Sequence, residues 1–86
     1  MTPREILNEL KWREDKDISK AEIWYRSRGP VEGFVMITGD ELTELGKSFF
    51  STTQATIPFY KVFRITYDGE VVFDRDELER KRFTQT

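Results

Sequence analysis

The apolar residues near the start of the chain recur with the period of an α-helix. The residues that share this spacing are Ile6, Leu7 and Leu10. Thr2 can cap such a helix, Pro3 suits its first position, and Glu5 follows Thr2 at the spacing of a capping box. The pattern therefore predicts a helix over residues 3–13.

An alternating pattern follows at residues 21–28, which are rich in aromatic and β-branched side chains. Alternation places one set of side chains on one face of the predicted strand: Ala21, Ile23, Tyr25 and Ser27. The opposite face then carries Glu22, Trp24, Arg26 and Arg28. Further strands are predicted at residues 33–38, 48–51, 62–67 and 70–74.

The last two predicted strands flank Asp68-Gly69, a dipeptide that strongly favours a two-residue β-hairpin turn of type I′. Such a turn fixes the pairing of the two strands. The expected cross-strand pairs are Tyr67 with Glu70, Ile65 with Val72 and Phe63 with Asp74 on one face, and Thr66 with Val71 and Arg64 with Phe73 on the other.

A second capping-box spacing occurs at Thr38 and Glu41. Leu42 and Leu45 then repeat at a helical interval, and Gly46 is a natural helix end. We therefore expect a short second helix over residues 39–45.

Together these elements predict an α+β fold, with the N-terminal helix and the short second helix packed on a four- to five-stranded, mainly antiparallel sheet that ends in a β-hairpin. We expect one domain over residues 1–86, with a highly charged tail at 76–86. The residues expected in the core are Ile6, Leu7, Leu10, Ile23, Tyr25, Val35, Ile37, Leu42, Leu45, Phe50, Ile57, Phe63, Ile65 and Val72.

The composition argues against several classes of function. The chain has no cysteine and no histidine, so the usual nucleophile pairs and the common ligands of structural metals are missing. We expect no cofactor, no metal site and no enzymatic activity. No apolar run approaches the ~20 residues of a membrane span, and the start lacks the apolar stretch of a signal peptide. These features predict a cytoplasmic protein without membrane contact.

Two groups of aromatic and cationic residues are candidates for binding nucleic acid, although the net charge of −2 gives no general attraction to phosphate. Trp24, Arg26 and Arg28 can stack a base and hold a phosphate. The alternative is a solvated strand face on which the arginine stems cover Trp24. Residues 57–64 interleave aromatic and cationic side chains in the same way. There the alternative is that Phe59 and Phe63 are core residues.

The order of these segments resembles a small, mostly archaeal family proposed to be an RNA cyclic-group end recognition domain, and the resemblance covers about residues 3–75. Its most specific parts are the helix end Leu7-Asn8-Glu9-Leu10-Lys11-Trp12, the pair Arg28-Gly29, the turn Ile57-Pro58-Phe59-Tyr60-Lys61 and the closing hairpin. The chain resembles a divergent member, because Ser27 and Tyr60 stand where the family pattern has its two signature histidines.

The resemblance implies a non-enzymatic RNA-binding module that recognises RNA 3′ ends carrying a terminal or 2′,3′-cyclic phosphate in RNA repair or processing. The contact residues that it implies are Ser27, Arg28, Gly29, Tyr60 and Lys61, which should meet at one end of the sheet. Second-rank candidates are Trp24, Arg26 and Arg64. An RNA-processing protein is a further expected partner.

Two other classes of function stay open at this point. A structural or protein-interaction module on the same scaffold would use Trp24 and Phe73 as anchors. An enzyme would have to work through lysine and tyrosine side chains, and no motif brings such a pair together.

Overall fold

The computed structural model describes residues 2–27 and 33–75. One α-helix and seven strands are assigned there: α1 (Pro3–Trp12), β1 (Ala21–Ser27), β2 (Gly33–Thr38), β3 (Leu42–Leu45), β4 (Phe49–Thr52), β5 (Thr56–Pro58), β6 (Val62–Tyr67) and β7 (Glu70–Asp74). Short 3-10 turns at Ile18–Lys20, Gly39–Glu41 and Phe59–Lys61 connect them. The predicted charged tail at 76–86 lies outside the described residues.

The strands form two antiparallel sheets. The larger sheet has four strands in the order β2-β1-β6-β7, and the smaller one has three in the order β3-β4-β5. The predicted α+β class is confirmed. The single sheet of four or five strands is replaced by two sheets, because β3 and β5 pair with β4 rather than with the larger sheet.

The helix starts as its capping signal predicts. The Glu5 amide donates to the Thr2 hydroxyl at 3.2 Å, and Pro3 occupies the first turn, where its missing N–H costs nothing. The Glu5 carboxylate accepts from the same hydroxyl at 3.0 Å, so it closes the cap through the side chain of Thr2. Arg13 is the C-terminal cap and has extended backbone, so the helix ends one residue earlier than predicted.

The predicted second helix over residues 39–45 is wrong. Its capping box is present, because the Thr38 amide donates to the Glu41 carboxylate at 2.8 Å, but the box caps a single 3-10 turn. From Leu42 onward the chain extends and pairs with β4, with Leu45 opposite Phe50. Two leucines alone make too short a stripe to hold a helix, so strand pairing decides the structure.

The Asp68-Gly69 turn is confirmed as type I′, since both residues have left-handed backbone with φ of 52° and 87°. Tyr67 pairs with Glu70 as predicted, and so does Thr66 with Val71. A β-bulge then leaves Val72 without a partner and shifts the remaining pairs by one residue. The other three predicted pairs are therefore wrong: Ile65 lies opposite Phe73, and Arg64 lies opposite Asp74.

The core lies between α1, one face of the larger sheet and the smaller sheet. Its buried members are Ile6, Leu7, Leu10, Ala21, Ile23, Ile37, Phe50, Ile57, Phe59, Val62 and Ile65. Tyr25, Leu42 and Leu45 are partly buried against this cluster. The burial predicted for Val35 and Val72 is wrong, since they are 37% and 46% exposed. Val35 lies on the edge strand β2, and Val72 is the bulged residue.

No helix within residues 2–27 and 33–75 is long and apolar enough to span a membrane. The same residues contain no cluster of three or more acidic side chains that could hold a metal ion.

Candidate nucleic-acid interface

The pairing of β1 with β6 brings two of the candidate segments to the same end of the larger sheet. Tyr25 lies opposite Val62 in the last described pair of these strands. Ser27 comes two residues after Tyr25, and Tyr60 comes two residues before Val62. Because paired strands run about 4.8 Å apart, the end of β1 lies beside the 3-10 turn that carries Tyr60 and Lys61.

Phe59 anchors this turn in the core. Its amide donates to the Ser48 carbonyl at 2.9 Å, and its buried ring lies 5.4 Å from the Phe50 ring. With Phe59 turned inward, the next side chain in the tight turn points outward, so Tyr60 is 72% exposed and Lys61 is partly exposed. The core interpretation of Phe59 is therefore correct, and it is this burial that presents Tyr60 to solvent.

Two of the candidate contact residues, Arg28 and Gly29, lie outside the described residues. The described members of the set are Ser27, Tyr60 and Lys61, and they lie on adjacent elements at one end of the sheet.

The face of the larger sheet that points away from α1, here called the outer face, carries the second-rank candidates. Ile23 and Ile65 point into the core, so their neighbours Trp24 and Arg64 point outward. Trp24 lies opposite Arg64, and the guanidinium carbon of Arg64 is 5.8 Å from the centre of the indole ring. The structure thus brings Trp24 and Arg64 together.

Arg26 joins the outer face through a second aromatic group. Its guanidinium carbon lies 5.0 Å from the centre of the Phe63 ring, and Phe34 meets that ring edge-on at 5.8 Å. Phe34 is 63% exposed and lies opposite Arg26 on β2. The outer face therefore presents alternating aromatic rings and guanidinium groups.

A β-bulge explains why Phe63 lies on this face. Trp24 pairs with Arg64 and Tyr25 pairs with Val62, so Phe63 is the extra residue of β6. Val62 points into the core in place of Phe63, and Phe63 is buried beneath Arg26 and Phe34 instead. Its predicted burial is right, but the predicted alternation with Ile65 is wrong.

One hydrogen bond and one ion pair fix polar side chains of the outer face. The Thr66 hydroxyl donates to the Glu22 carboxylate at 3.1 Å, and Arg64 Nε lies 3.5 Å from Asp74 Oδ2. The longer contact is an ion pair without hydrogen-bond geometry. The ion pair with Asp74 holds the Arg64 guanidinium near Trp24.

The structure separates the two anchors that the protein-interaction alternative would use together. Phe73 lies opposite Ile65 and packs against the core, whereas Trp24 lies on the outer face. They cannot act as one apolar anchor. Phe34 is the residue that sequence reasoning missed here, because only the β1–β2 register places it beside Arg26.

Comparison with known proteins points to one family. A family model described as the MJ1316 RNA cyclic group end recognition domain matches residues 1–75. A UPF0248 protein from Archaeoglobus fulgidus is 31% identical over 70 residues, which cover 80% of this chain and 99% of the relative. The UPF0248 protein from Methanopyrus kandleri is 32% identical over 66 residues, covering 77% and 89%. The one from Pyrobaculum aerophilum is 30% identical over 77 residues, covering 84% and 96%. No solved structure matches the chain.

Proposed function

The chain belongs to the RNA cyclic group end recognition domain family, and from that membership we propose that it is a non-enzymatic module that binds RNA ends with a terminal or 2′,3′-cyclic phosphate. The proposal includes a role in RNA repair or processing. The observation that carries it is the match over residues 1–75, which includes both segments that meet at the end of the larger sheet.

The chemistry at that end of the sheet supports the proposal. The exposed Tyr60 ring can stack on a base or ribose, and Lys61 supplies a positive charge for a phosphate. The Ser27 hydroxyl can donate to a phosphate oxygen. By residue type, Arg28 would add a bidentate donor, and Gly29 would let a phosphate approach the backbone.

The outer face supports binding of the strand that leads to the RNA end. Arg26 is the second-to-last residue of β1, so the outer face extends to the end of the sheet. Stacking on an aromatic side chain contributes about 1–3 kcal/mol per base, and the exposed Phe34 and the half-buried Trp24 each offer a ring. Because every base has such a face, this contribution requires no particular sequence.

The composition supports a binding role over catalysis. Phosphodiester cleavage near neutral pH commonly relies on a general acid and base with a pKa near 7, and the chain has no histidine to fill that role. With a net charge of −2, we expect modest affinity and a shallow salt dependence.

Removal of Lys61 tests the site, with Lys20 as a matched control. Lys20 directly precedes β1, whereas Lys61 lies beside its far end. The seven residues of β1 put about 20 Å between these two ends of the sheet. Both changes to alanine remove one positive charge, so the effect on net charge is identical.

Anisotropy titrations of a short single-stranded RNA with a 3′-phosphate measure the effect. We expect Lys61→Ala to weaken binding and to reduce the salt slope by about 0.7, the value for one phosphate contact on a single strand. Lys20→Ala should leave the affinity and the salt slope close to the wild-type values. Equal losses in the two variants would mean that the RNA responds only to net charge, and the proposed site would be wrong.

A protein-interaction role is the second candidate, and the exposed Phe34 and Met36 on β2 favour it. An apolar contact of this kind would depend little on salt. If RNA shows no salt-dependent binding to the wild-type protein, this candidate takes precedence.

A further inference from the structure

A cationic groove opens where the start of α1 meets the turn at Phe59–Lys61. Its volume is about 440 Å³, within the range of sites that hold small ligands. Among residues 2–27 and 33–75, three cationic side chains line it, namely Arg4, Lys47 and Arg75, together with one carboxylate, Glu5. The described lining residues therefore sum to a charge of +2, on a chain whose net charge is −2.

We propose that this groove holds the terminal phosphate and the last ribose of a bound RNA, an inference that rests on the proposed function. Tyr60 connects the two regions, because it lines the groove and also lies at the end of the sheet beside β1. An RNA strand on the outer face can thus turn at the Tyr60 ring and place its end against the cations. Charge complementarity favours a phosphate as the occupant.

The two arginines are held in position by the backbone. Arg4 Nε donates to the Gly46 carbonyl at 3.1 Å, and Arg75 Nε donates to the Val62 carbonyl at 3.0 Å. Each bond uses the nitrogen nearest the side-chain stem, so the terminal nitrogens of the guanidinium can donate to phosphate oxygens. Arginines fixed in this way lose little conformational freedom when they bind a phosphate.

The cations of the groove differ in their surroundings from Arg13, the arginine at the end of α1. Arg13 forms ion pairs with Glu9 at 2.9 Å and with Asp15 at 2.8 Å. Within the described part of the chain, no carboxylate forms an ion pair with any of the three groove cations. The Glu5 carboxylate, which also lines the groove, accepts a hydrogen bond from the Thr2 hydroxyl in the helix cap.

The apolar part of the groove suits a ribose or base. Phe59 is buried at its floor, and the exposed Tyr60 ring forms a wall. A tyrosine ring beside clustered cations is an arrangement that recognises a nucleotide as a whole, because the ring contacts the sugar or base while the cations contact the phosphate.

Lys47 is the most suitable groove cation to substitute. Its side chain is exposed, and its replacement leaves the hydrogen bonds from Arg4 and Arg75 to backbone carbonyls in place. The experiment compares Lys47→Glu with Lys20→Glu, a charge reversal just before the start of β1, at the opposite end of the sheet from Tyr60. Thermal melting of both variants checks that each is folded. Backbone amide NMR spectra are then recorded with adenosine 3′-monophosphate and with adenosine.

Adenosine 3′-monophosphate should shift the amides of Glu5, Lys47 and Tyr60, and adenosine should shift them much less. Lys47→Glu should weaken nucleotide binding at least about tenfold, as expected when a contact to a charged group is replaced by repulsion. Lys20→Glu should bind as the wild-type protein does. If adenosine 3′-monophosphate leaves these three amides unmoved, or if both variants bind equally well, the groove is not the phosphate site.

Titrations with RNA separate this inference from the proposed function. Suppose that the wild-type protein prefers 3′-phosphate over 3′-hydroxyl RNA and that Lys47→Glu leaves this preference unchanged. The groove is then not the phosphate site, while the proposed function stands. If the wild-type protein shows no such preference but adenosine 3′-monophosphate shifts the groove amides, the proposed function fails and the anion site in the groove stands.

Discussion

Gly39 lies where two 3-10 turns pack against each other, and its replacement by alanine should destabilise the fold strongly. A Cβ atom at this position would lie 1.9 Å from the Ile18 carbonyl oxygen and 2.8 Å from Ile18 Cγ1. Among residues 2–27 and 33–75, only Asp68 and Gly69 have positive φ. The requirement for glycine at position 39 is therefore one of space and not of backbone conformation.

The expected loss of stability follows from the steric overlap between the added Cβ atom and Ile18. The Cβ and the carbonyl oxygen must separate by about 1 Å or more before they reach an ordinary contact, so the backbone of one turn must move. Overpacking of this kind costs about 1–3 kcal/mol. The reduced entropy of the unfolded chain returns about 0.4–1 kcal/mol. A net loss of roughly 1–2 kcal/mol lowers the melting temperature of a domain of this size by about 4–16 °C.

Thermal unfolding followed by circular dichroism measures this loss, and two other glycines serve as controls. A methyl group added at Gly33 would meet no atom of the described residues within 4 Å, and Gly33 has no positive φ, so Gly33→Ala should melt close to the wild-type temperature. Gly69 also has open space, but its φ of 87° makes Gly69→Ala cost about 1–2 kcal/mol. If Gly39→Ala melts within about 2 °C of the wild-type protein, the close packing of the two turns is wrong.

Three further predictions concern the core and two titrating groups. Leu7 is fully buried, so Leu7→Ala should lower the free energy of unfolding in urea by about 2–5 kcal/mol. Burial, and then the charge of Glu41, raises the pKa of Tyr25 above 10.0; urea midpoints should therefore fall as the pH rises above 10.0, less so in Tyr25→Phe. Hydrogen bonds from the Ser19 hydroxyl and amide lower the pKa of Asp17 below 3.8. Their stabilisation should persist above that pH and disappear as the pH falls below it, and Asp17→Asn should reduce this acid sensitivity.

Local signals in the sequence predict the parts of the fold that depend on neighbouring residues. The cap formed by Thr2 and Glu5 sets the start of α1, and the left-handed backbone of Asp68-Gly69 sets the last hairpin. The helix predicted over residues 42–45 is wrong because this segment pairs with Phe50 and Thr52, and neither the capping box nor the two leucines carries information about that pairing. A capping box shows where a helical turn starts but not how far it continues.

The sequence likewise predicts some features of the candidate site and not others. Alternation along β1 correctly places Trp24 and Arg26 on one face, whereas the position of Phe63 depends on a bulge that alternation cannot predict. The groove combines residues from three separate parts of the chain, Arg4, Lys47 and Arg75, with Tyr60. No spacing in the sequence relates these residues, so only the folded structure shows that they lie together.

A comparison of two RNAs that differ only in the terminal phosphate tests the central claim most directly. One short single-stranded RNA carries a 3′-phosphate, and the same RNA after phosphatase treatment carries a 3′-hydroxyl. Anisotropy titrations at one low salt concentration measure both dissociation constants with the wild-type protein. We predict that the phosphorylated end binds at least about tenfold more tightly, a difference of about 1.4 kcal/mol that matches one charge-assisted contact. Equal dissociation constants for the two RNAs would contradict the recognition of RNA ends.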